Sequence, residues 1–71
     1  MNSLRANIGL LSTIATDTGQ DYTDAYMVWQ LVRQRDDAYR IVDTVLWLAK
    51  RQEVHVLDAL ELYTGIEELL G

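Results

Sequence analysis

The stretch RQRDDAYRIVDTVLWLAKR, residues 33–51, decides whether the middle of this chain is one long helix or two. It contains neither proline nor glycine, so no residue in it forces a helix to stop. At about 100° per residue, however, its apolar side chains point nearly opposite to those of the segment before it. The earlier set is Tyr22, Ala25, Tyr26, Trp29 and Val32, and the later set is Tyr39, Val42, Val45, Leu46 and Ala49.

One straight helix through both sets would have to bury opposite faces at its two ends, because the apolar direction swings by roughly 150°. That swing exceeds the drift of a gently curved helix. We therefore predict a turn or a sharp kink near residues 34–38, with Asp36 or Asp37 capping the helix that follows. The alternative is a single long helix that spans two subunits or two partners.

The residues before this stretch predict two helices. Helix one is expected from about Ser3, as its N-cap, to about Ala15. Its apolar stripe is Leu4, Ile8, Leu11 and Ala15. The sequence TDTGQD then interrupts the pattern, since Gly19 is free to take a positive φ and Asp21 or Thr23 can cap the next helix. Helix two is expected over about residues 22–35.

The residues after the stretch predict a further helical segment. Helix three should end near Gln52, and helix four should run from about Val56 to Tyr63, because leucine, alanine and acidic residues dominate there. Thr64-Gly65-Ile66-Glu67 has the spacing of a capping box before IEELL. In one version of the fold IEELL is a short fifth helix at the C-terminus.

The fold class predicted for residues 1–71 is thus all-α, a single domain with a compact bundle of about four helices. At 71 residues and 49% apolar content, such a core supplies only ~3 to 5 kcal/mol of stability. Helix two is also apolar around much of its circumference, with Tyr22 and Tyr26 on one side and Met27 and Leu31 on another. A homodimer built across helices two and three is therefore an open alternative to a self-sufficient bundle.

The composition favours a cytoplasmic protein. The chain has no cysteine, and no apolar run approaches the roughly 18 residues of a membrane-spanning helix. Its N-terminal residues lack the basic start and the long apolar centre of a signal peptide. We expect no membrane partner.

Charge is unevenly distributed along the chain. Residues 1–51 hold six acids and six bases, so the whole net charge of −5 lies in residues 52–71, which contain no lysine or arginine. An acidic chain of this kind is poorly suited to binding phosphates and better suited to a basic protein surface. Residues 48–65 are the nearest candidate for a helix-turn-helix, but their second helix would present Asp58 and Glu61 to the DNA. We expect no direct nucleic-acid partner.

No motif predicts catalysis, a cofactor or a metal. Asp17-Thr18-Gly19 matches the tripeptide of aspartic proteases but lies between helices, which favours a turn. Asp17, Asp21 and Asp24 lack the spacing of a calcium loop. His55 is the only histidine and is predicted to be a surface or helix-cap residue. The arginines around residues 33–51 alternate with Asp36, Asp37 and Asp43, which favours solvated ion pairs over a basic patch.

Trp47 is the residue that points most directly to function. On a helix it shares a face with Arg40, Asp43, Lys50 and Arg51, an arrangement typical of a protein interface. The alternative is internal packing, with Trp29 and Trp47 in one cluster on either side of the predicted turn. We predict a small acidic protein-binding module, a non-enzymatic regulator or inhibitor that occludes a partner protein. The partner-binding residues would be this group or the acids Glu61, Glu67 and Glu68.

Two other functions fit the same features less well. The first is a nucleic-acid mimic, which would use the C-terminal acids to occupy the basic groove of a DNA- or RNA-binding enzyme. The second is a homo-oligomeric assembly protein.

Overall fold

In the computed structural model, which describes residues 5–71, the chain forms four α-helices and no strand: α1 (Ile8–Thr18), α2 (Tyr22–Val32), α3 (Ala38–Gln52) and α4 (Val56–Leu70). The predicted all-α fold is therefore confirmed. Helices α2 and α3 each pack against all of the other helices, and α3 is central because it has the largest set of buried residues. Within the described residues, α1 and α4 both contact α3 but do not contact each other.

The predicted break in the middle of the chain is confirmed. Helix α2 ends at Val32, slightly before the expected position, and residues 33–37 form the turn that precedes α3. Asp37 occupies the N-cap position of α3, but its carboxylate does not cap the helix. It instead accepts hydrogen bonds from Arg35 Nε at 3.2 Å and from Arg40 Nη2 at 2.9 Å.

Helix α1 begins and ends later than predicted. Asn7 is its N-cap, because Asn7 Oδ1 accepts the N–H of Leu10 at 3.0 Å while the Asn7 N–H donates to the Tyr39 hydroxyl at 2.9 Å. The predicted cap, Ser3, and the first member of the predicted stripe, Leu4, lie outside the described residues. Ile8 is in the first turn and is exposed, so the predicted stripe is only partly buried.

The end of α1 follows the prediction that Gly19 takes a positive φ. Its φ is 73°, and its N–H bonds to the carbonyl of Thr16. Asp21 then occupies the N-cap position of α2, without a hydrogen bond from its side chain to the helix. Gly19 therefore places the corner between α1 and α2.

Helix α4 does not stop at Tyr63 as expected. It continues through Gly65 to Leu70, so Thr64 starts no new helix and the IEELL segment forms the last turns of α4. A glycine inside a helix costs only about 1 kcal/mol relative to alanine. The partly buried Tyr63 and the ion pair between Arg35 and Glu67 hold these turns against the rest of the fold.

The core consists of small and branched apolar side chains around one large aromatic side chain. Its fully buried members of largest volume are Trp29, Leu11, Ile41, Leu46, Val28, Val42, Val45 and Val56. The inner face of α3 contributes four of these, in the i, i+3, i+4 pattern of an amphipathic helix. None of the four helices combines the length and the apolar content needed to cross a lipid bilayer.

Candidate protein-binding site

The outer face of α3 gathers the residues that the sequence assigned to one surface. Spacings of three and four along a helix bring side chains to the same side. We call this group the Trp47 surface, and all of its members are exposed: Arg40, Asp43, Trp47, Lys50 and Arg51. The opposite face of α3 is the centre of the core, so the helix holds the Trp47 surface on a rigid support.

Trp47 is 52% exposed although it is among the largest side chains of the chain. The guanidinium carbon of Arg51 lies 5.1 Å from the centre of its ring, one helical turn further on. Such a cation–π contact contributes about 0.5–1 kcal/mol at an exposed site. The contact favours one orientation of the indole and leaves much of its area open to solvent.

Trp29 has the opposite environment. It is 2% exposed and stacks between Tyr26, at 5.7 Å between ring centres, and Tyr39, at 6.5 Å. The expectation that Trp29 and Trp47 share one cluster is therefore wrong. The reason is that α3 turns Trp47 away from the core, whereas α2 turns Trp29 into it.

The two indoles nevertheless share a local feature that the sequence analysis missed. Arg33 lies over Trp29, with its guanidinium carbon 5.8 Å from the ring centre, as Arg51 lies over Trp47. In both cases the arginine follows the tryptophan by four residues. A tryptophan and an arginine at this spacing on a predicted helix are the signal that identifies such a pair.

The remaining charges of the Trp47 surface have different neighbours. Arg40 is paired with Asp37, which leaves Asp43 as the exposed acid of the surface. The Lys50 side chain passes over Gly19, where a Cβ atom would lie 3.3 Å from Lys50 Cε. A lysine at this position complements the negative C-terminal end of α1. Lys50 is thus turned toward α1, at one margin of the surface.

The predicted acidic residues of α4 separate into two groups. Glu61 and Glu68 are exposed, and Glu61 lines a shallow groove between α2 and α4 together with Leu31 and Leu57. Glu67 instead accepts two hydrogen bonds from the guanidinium of Arg35, each 2.9 Å long. This bidentate contact lowers the pKa of Glu67 and raises the pKa of Arg35. The Arg35 guanidinium therefore offsets the charge of Glu67.

Rather than a basic patch, the arginines around residues 33–51 form ion pairs, as the sequence analysis favoured, and contacts with indoles. Arg35 and Arg40 both pair with Asp37. Arg33 and Arg51 lie over the indoles. These arginines are therefore dispersed among separate local contacts.

The motifs that were considered for chemistry have local structural roles. Asp17 and Thr18 form the end of α1, and Gly19 is its C-cap. His55 is the N-cap of α4, where its Nδ1 atom accepts the N–H of Leu57 at 3.1 Å, as predicted for a cap residue. Across residues 5–71, no three metal-binding side chains converge on one point.

A second exposed apolar surface lies on α4 and was not anticipated. We call it the α4 stripe, and its members are Leu62, Ile66, Leu69 and Leu70. The predicted break at Thr64 divided these residues between two elements, so their common face was not recognised. Their spacing of four, three and one is the signal that a continuous helix would have revealed.

Comparison with known proteins adds no relative: no family model, no curated protein and no solved structure matches this chain.

Proposed function

We propose that this chain is a small, non-enzymatic protein-binding module, a regulator or inhibitor that docks on a partner protein through the Trp47 surface. One observation carries the proposal. Trp47 is half exposed on a helix whose opposite face forms the core, and Arg51 lies over its ring. Binding energy at protein interfaces concentrates on rigid aromatic and arginine side chains surrounded by polar residues.

The mechanism is occlusion of the partner's surface. The indole supplies most of the affinity, because its place on the rigid helix α3 and its contact with Arg51 reduce the side-chain entropy that it loses on binding. Arg40 and Asp43 supply a polar rim around it. The exposed acids Glu61 and Glu68 add long-range attraction to a basic partner, which raises the association rate more than the affinity.

A nucleic-acid mimic is a weaker proposal for this chain. Such a protein needs a regular array of free negative charges that resembles phosphates. The contact with Arg35 withdraws Glu67 from that array.

The test is affinity capture from a native cell lysate at low and high salt, with the wild type beside Trp47→Asp. Leu10→Asp is the matched control, because Leu10 is an exposed apolar residue on α1 and is not a member of the Trp47 surface. Circular dichroism establishes that both variants are folded. We expect one stoichiometric partner with the wild type and with Leu10→Asp, and loss of that partner with Trp47→Asp.

The dependence of partner capture on salt separates the contribution of the acidic residues from that of Trp47. If capture weakens at high salt but still requires Trp47, the acids assist the aromatic contact. If Trp47→Asp captures the same protein as the wild type, or if none of the proteins captures anything, the proposal is wrong. Self-assembly is then the better account of the chain.

A further inference from the structure

The α4 stripe is the largest group of exposed apolar side chains on one helix of this fold. Leu69 and Leu70 are 87% and 84% exposed, and Leu62 and Ile66 are each about half exposed. At about 100° per residue, the four side chains fall within a sector of roughly 100°. They form a continuous strip along the second half of α4.

The fold uses only part of this strip, since Leu62 and Ile66 are about half buried whereas Leu69 and Leu70 are almost fully exposed. The core face of α4, which buries Val56 and Ala59 and half-buries Leu60 and Tyr63, adjoins the strip. The apolar arc of α4 is therefore wider than the part that the core covers.

Gly65 lies beside the stripe and has no structural reason to be glycine in this fold. It is inside a regular helix, and a Cβ atom at this position would meet nothing within 4 Å. Glycine there destabilises the helix by about 1 kcal/mol relative to alanine. Its effect on the surface is to leave a shallow depression next to Leu62 and Leu69, where another backbone can approach closely.

Charge identifies the kind of partner that fits. Asp58, Glu61 and Glu68 border the stripe along one edge, and residues 52–71 contain no lysine or arginine to balance them. A second copy of the chain, laid antiparallel on the stripe, would bring this acidic edge against its own equivalent, which is unfavourable. A partner with basic residues beside its apolar face has the complementary charge.

We propose that the α4 stripe is a docking surface for an amphipathic helix of a partner protein, whose apolar face is bordered by lysine or arginine. The apolar face of that helix packs on Leu62, Ile66 and Leu69, and its basic border lies along Glu61 and Glu68. Recognition of this type places an amphipathic helix in an apolar groove. The α4 stripe shares no residue with the Trp47 surface.

The test uses the full chain and a synthetic probe. The probe is a fluorescently labelled helix of about 15 residues, built from leucine and lysine with the lysines bordering the leucine face. A second probe replaces every lysine with glutamate. Fluorescence anisotropy measures the binding of each probe to the wild type and to three variants: Leu69→Ser, Ile8→Ser and Trp47→Asp.

We expect saturable binding of the lysine probe and much weaker binding of the glutamate probe. Leu69→Ser should weaken the lysine probe by about tenfold, because a buried leucine contributes that much or more to affinity. Ile8→Ser is the matched control, since Ile8 is exposed on α1, and it should leave binding unchanged. Trp47→Asp should also leave binding unchanged, which separates this surface from the one in the proposed function.

Three results would overturn the proposal. The first is the absence of saturable binding. The second is equal binding of the two probes, or equal weakening by Leu69→Ser and Ile8→Ser, which would mean non-specific attraction. The third is a wild type that sediments as a dimer while Leu69→Ser sediments as a monomer, in which case a second copy covers the stripe.

Discussion

The contact between Arg35 and Glu67 joins residues 32 positions apart and connects the turn before α3 to the last turns of α4. It is the one ion pair of the described residues in which both terminal nitrogens of a guanidinium, Nη1 and Nη2, donate to one carboxylate. Bidentate geometry makes such a pair more directional than a typical surface ion pair. At the scale of single residues, this contact fixes where the end of α4 lies.

The pair makes stability dependent on pH. Because Arg35 lowers the pKa of Glu67 in the folded chain, the contribution is fully present above the ordinary glutamate pKa of 4.5 and is lost as the pH falls through the lower folded value. We expect Glu67→Gln to be less stable than the wild type at pH 7. The two proteins should converge as the pH falls through the lowered pKa of Glu67. Urea unfolding followed by tryptophan fluorescence at a series of pH values measures the difference.

Glu68→Gln is the control for this prediction, because Glu68 is exposed and makes no ion pair with another described residue. It should show no comparable change with pH. A constant difference between Glu67→Gln and the wild type across the whole range would mean that the glutamate acts through packing and not through its charge.

Two glycines of the chain illustrate opposite roles at the scale of helices. Gly19 ends α1 with a φ of 73°, and the Lys50 side chain lies across the position that a Cβ would occupy. Gly65 has ordinary helical neighbours and open space around it. The same substitution by alanine therefore has opposite expected effects at the two positions.

We expect Gly65→Ala to raise the free energy of unfolding by about 0.5–1 kcal/mol, because alanine loses less backbone entropy in a helix. Gly19→Ala should lower it by about 1 kcal/mol or more, because alanine is strained at a positive φ. Thermal unfolding followed by circular dichroism measures both. If Gly65→Ala destabilises the chain instead, α4 is interrupted at Thr64–Gly65, as the capping-box pattern suggested.

The helices that the sequence predicted well are those whose limits depend on local residues. The break before α3 follows from the change in direction of the apolar residues, and the end of α1 follows from Gly19. The errors arise where distant residues decide the outcome. Asn7 begins α1 with its N–H bonded to Tyr39, and α4 continues past Thr64 with Glu67 bonded to Arg35. Tyr39 and Arg35 lie in other segments of the chain, so a pattern within one segment does not predict these contacts.

In the candidate site, too, features set by local residues were predictable and features set by distant residues were not. The members of the Trp47 surface were predictable, because a single helix brings them together at spacings of three and four. The burial of Trp29 and the exposure of Trp47 were not predictable, since they depend on which face of each helix packs against the other helices. The α4 stripe was missed for a related reason, since it exists only when α4 is one continuous helix.

The whole molecule is flat, which explains why so many apolar side chains are exposed. Its Cα radius of gyration is 11.5 Å, close to the ~11 Å expected for a compact chain of this length. Its shortest dimension is only 14 Å, about the thickness of two packed helices. With two layers, every helix keeps one face toward solvent, and both the Trp47 surface and the α4 stripe lie on such faces.

A pair of leucine substitutions, one in the core and one on a solvent-facing side, tests this two-layer arrangement. Leu46 is fully buried, so Leu46→Ala should cost about 2–5 kcal/mol. That is comparable to the ~3 to 5 kcal/mol of stability that a core of this size supplies. Leu69 is almost fully exposed, so Leu69→Ala should change stability by no more than about 0.5 kcal/mol. Urea unfolding at two protein concentrations measures both.

The concentration series makes the result informative for function as well as for folding. A negligible cost for Leu69→Ala at both concentrations means that the free chain folds without the α4 stripe, so the stripe is available to a partner. A cost that appears only at the higher concentration means that the stripe is buried between copies, because only an associated state gains stability from mass action. A cost equal to that of Leu46→Ala at both concentrations would contradict the exposure of Leu69 itself, and with it the surface on which a partner helix is proposed to dock.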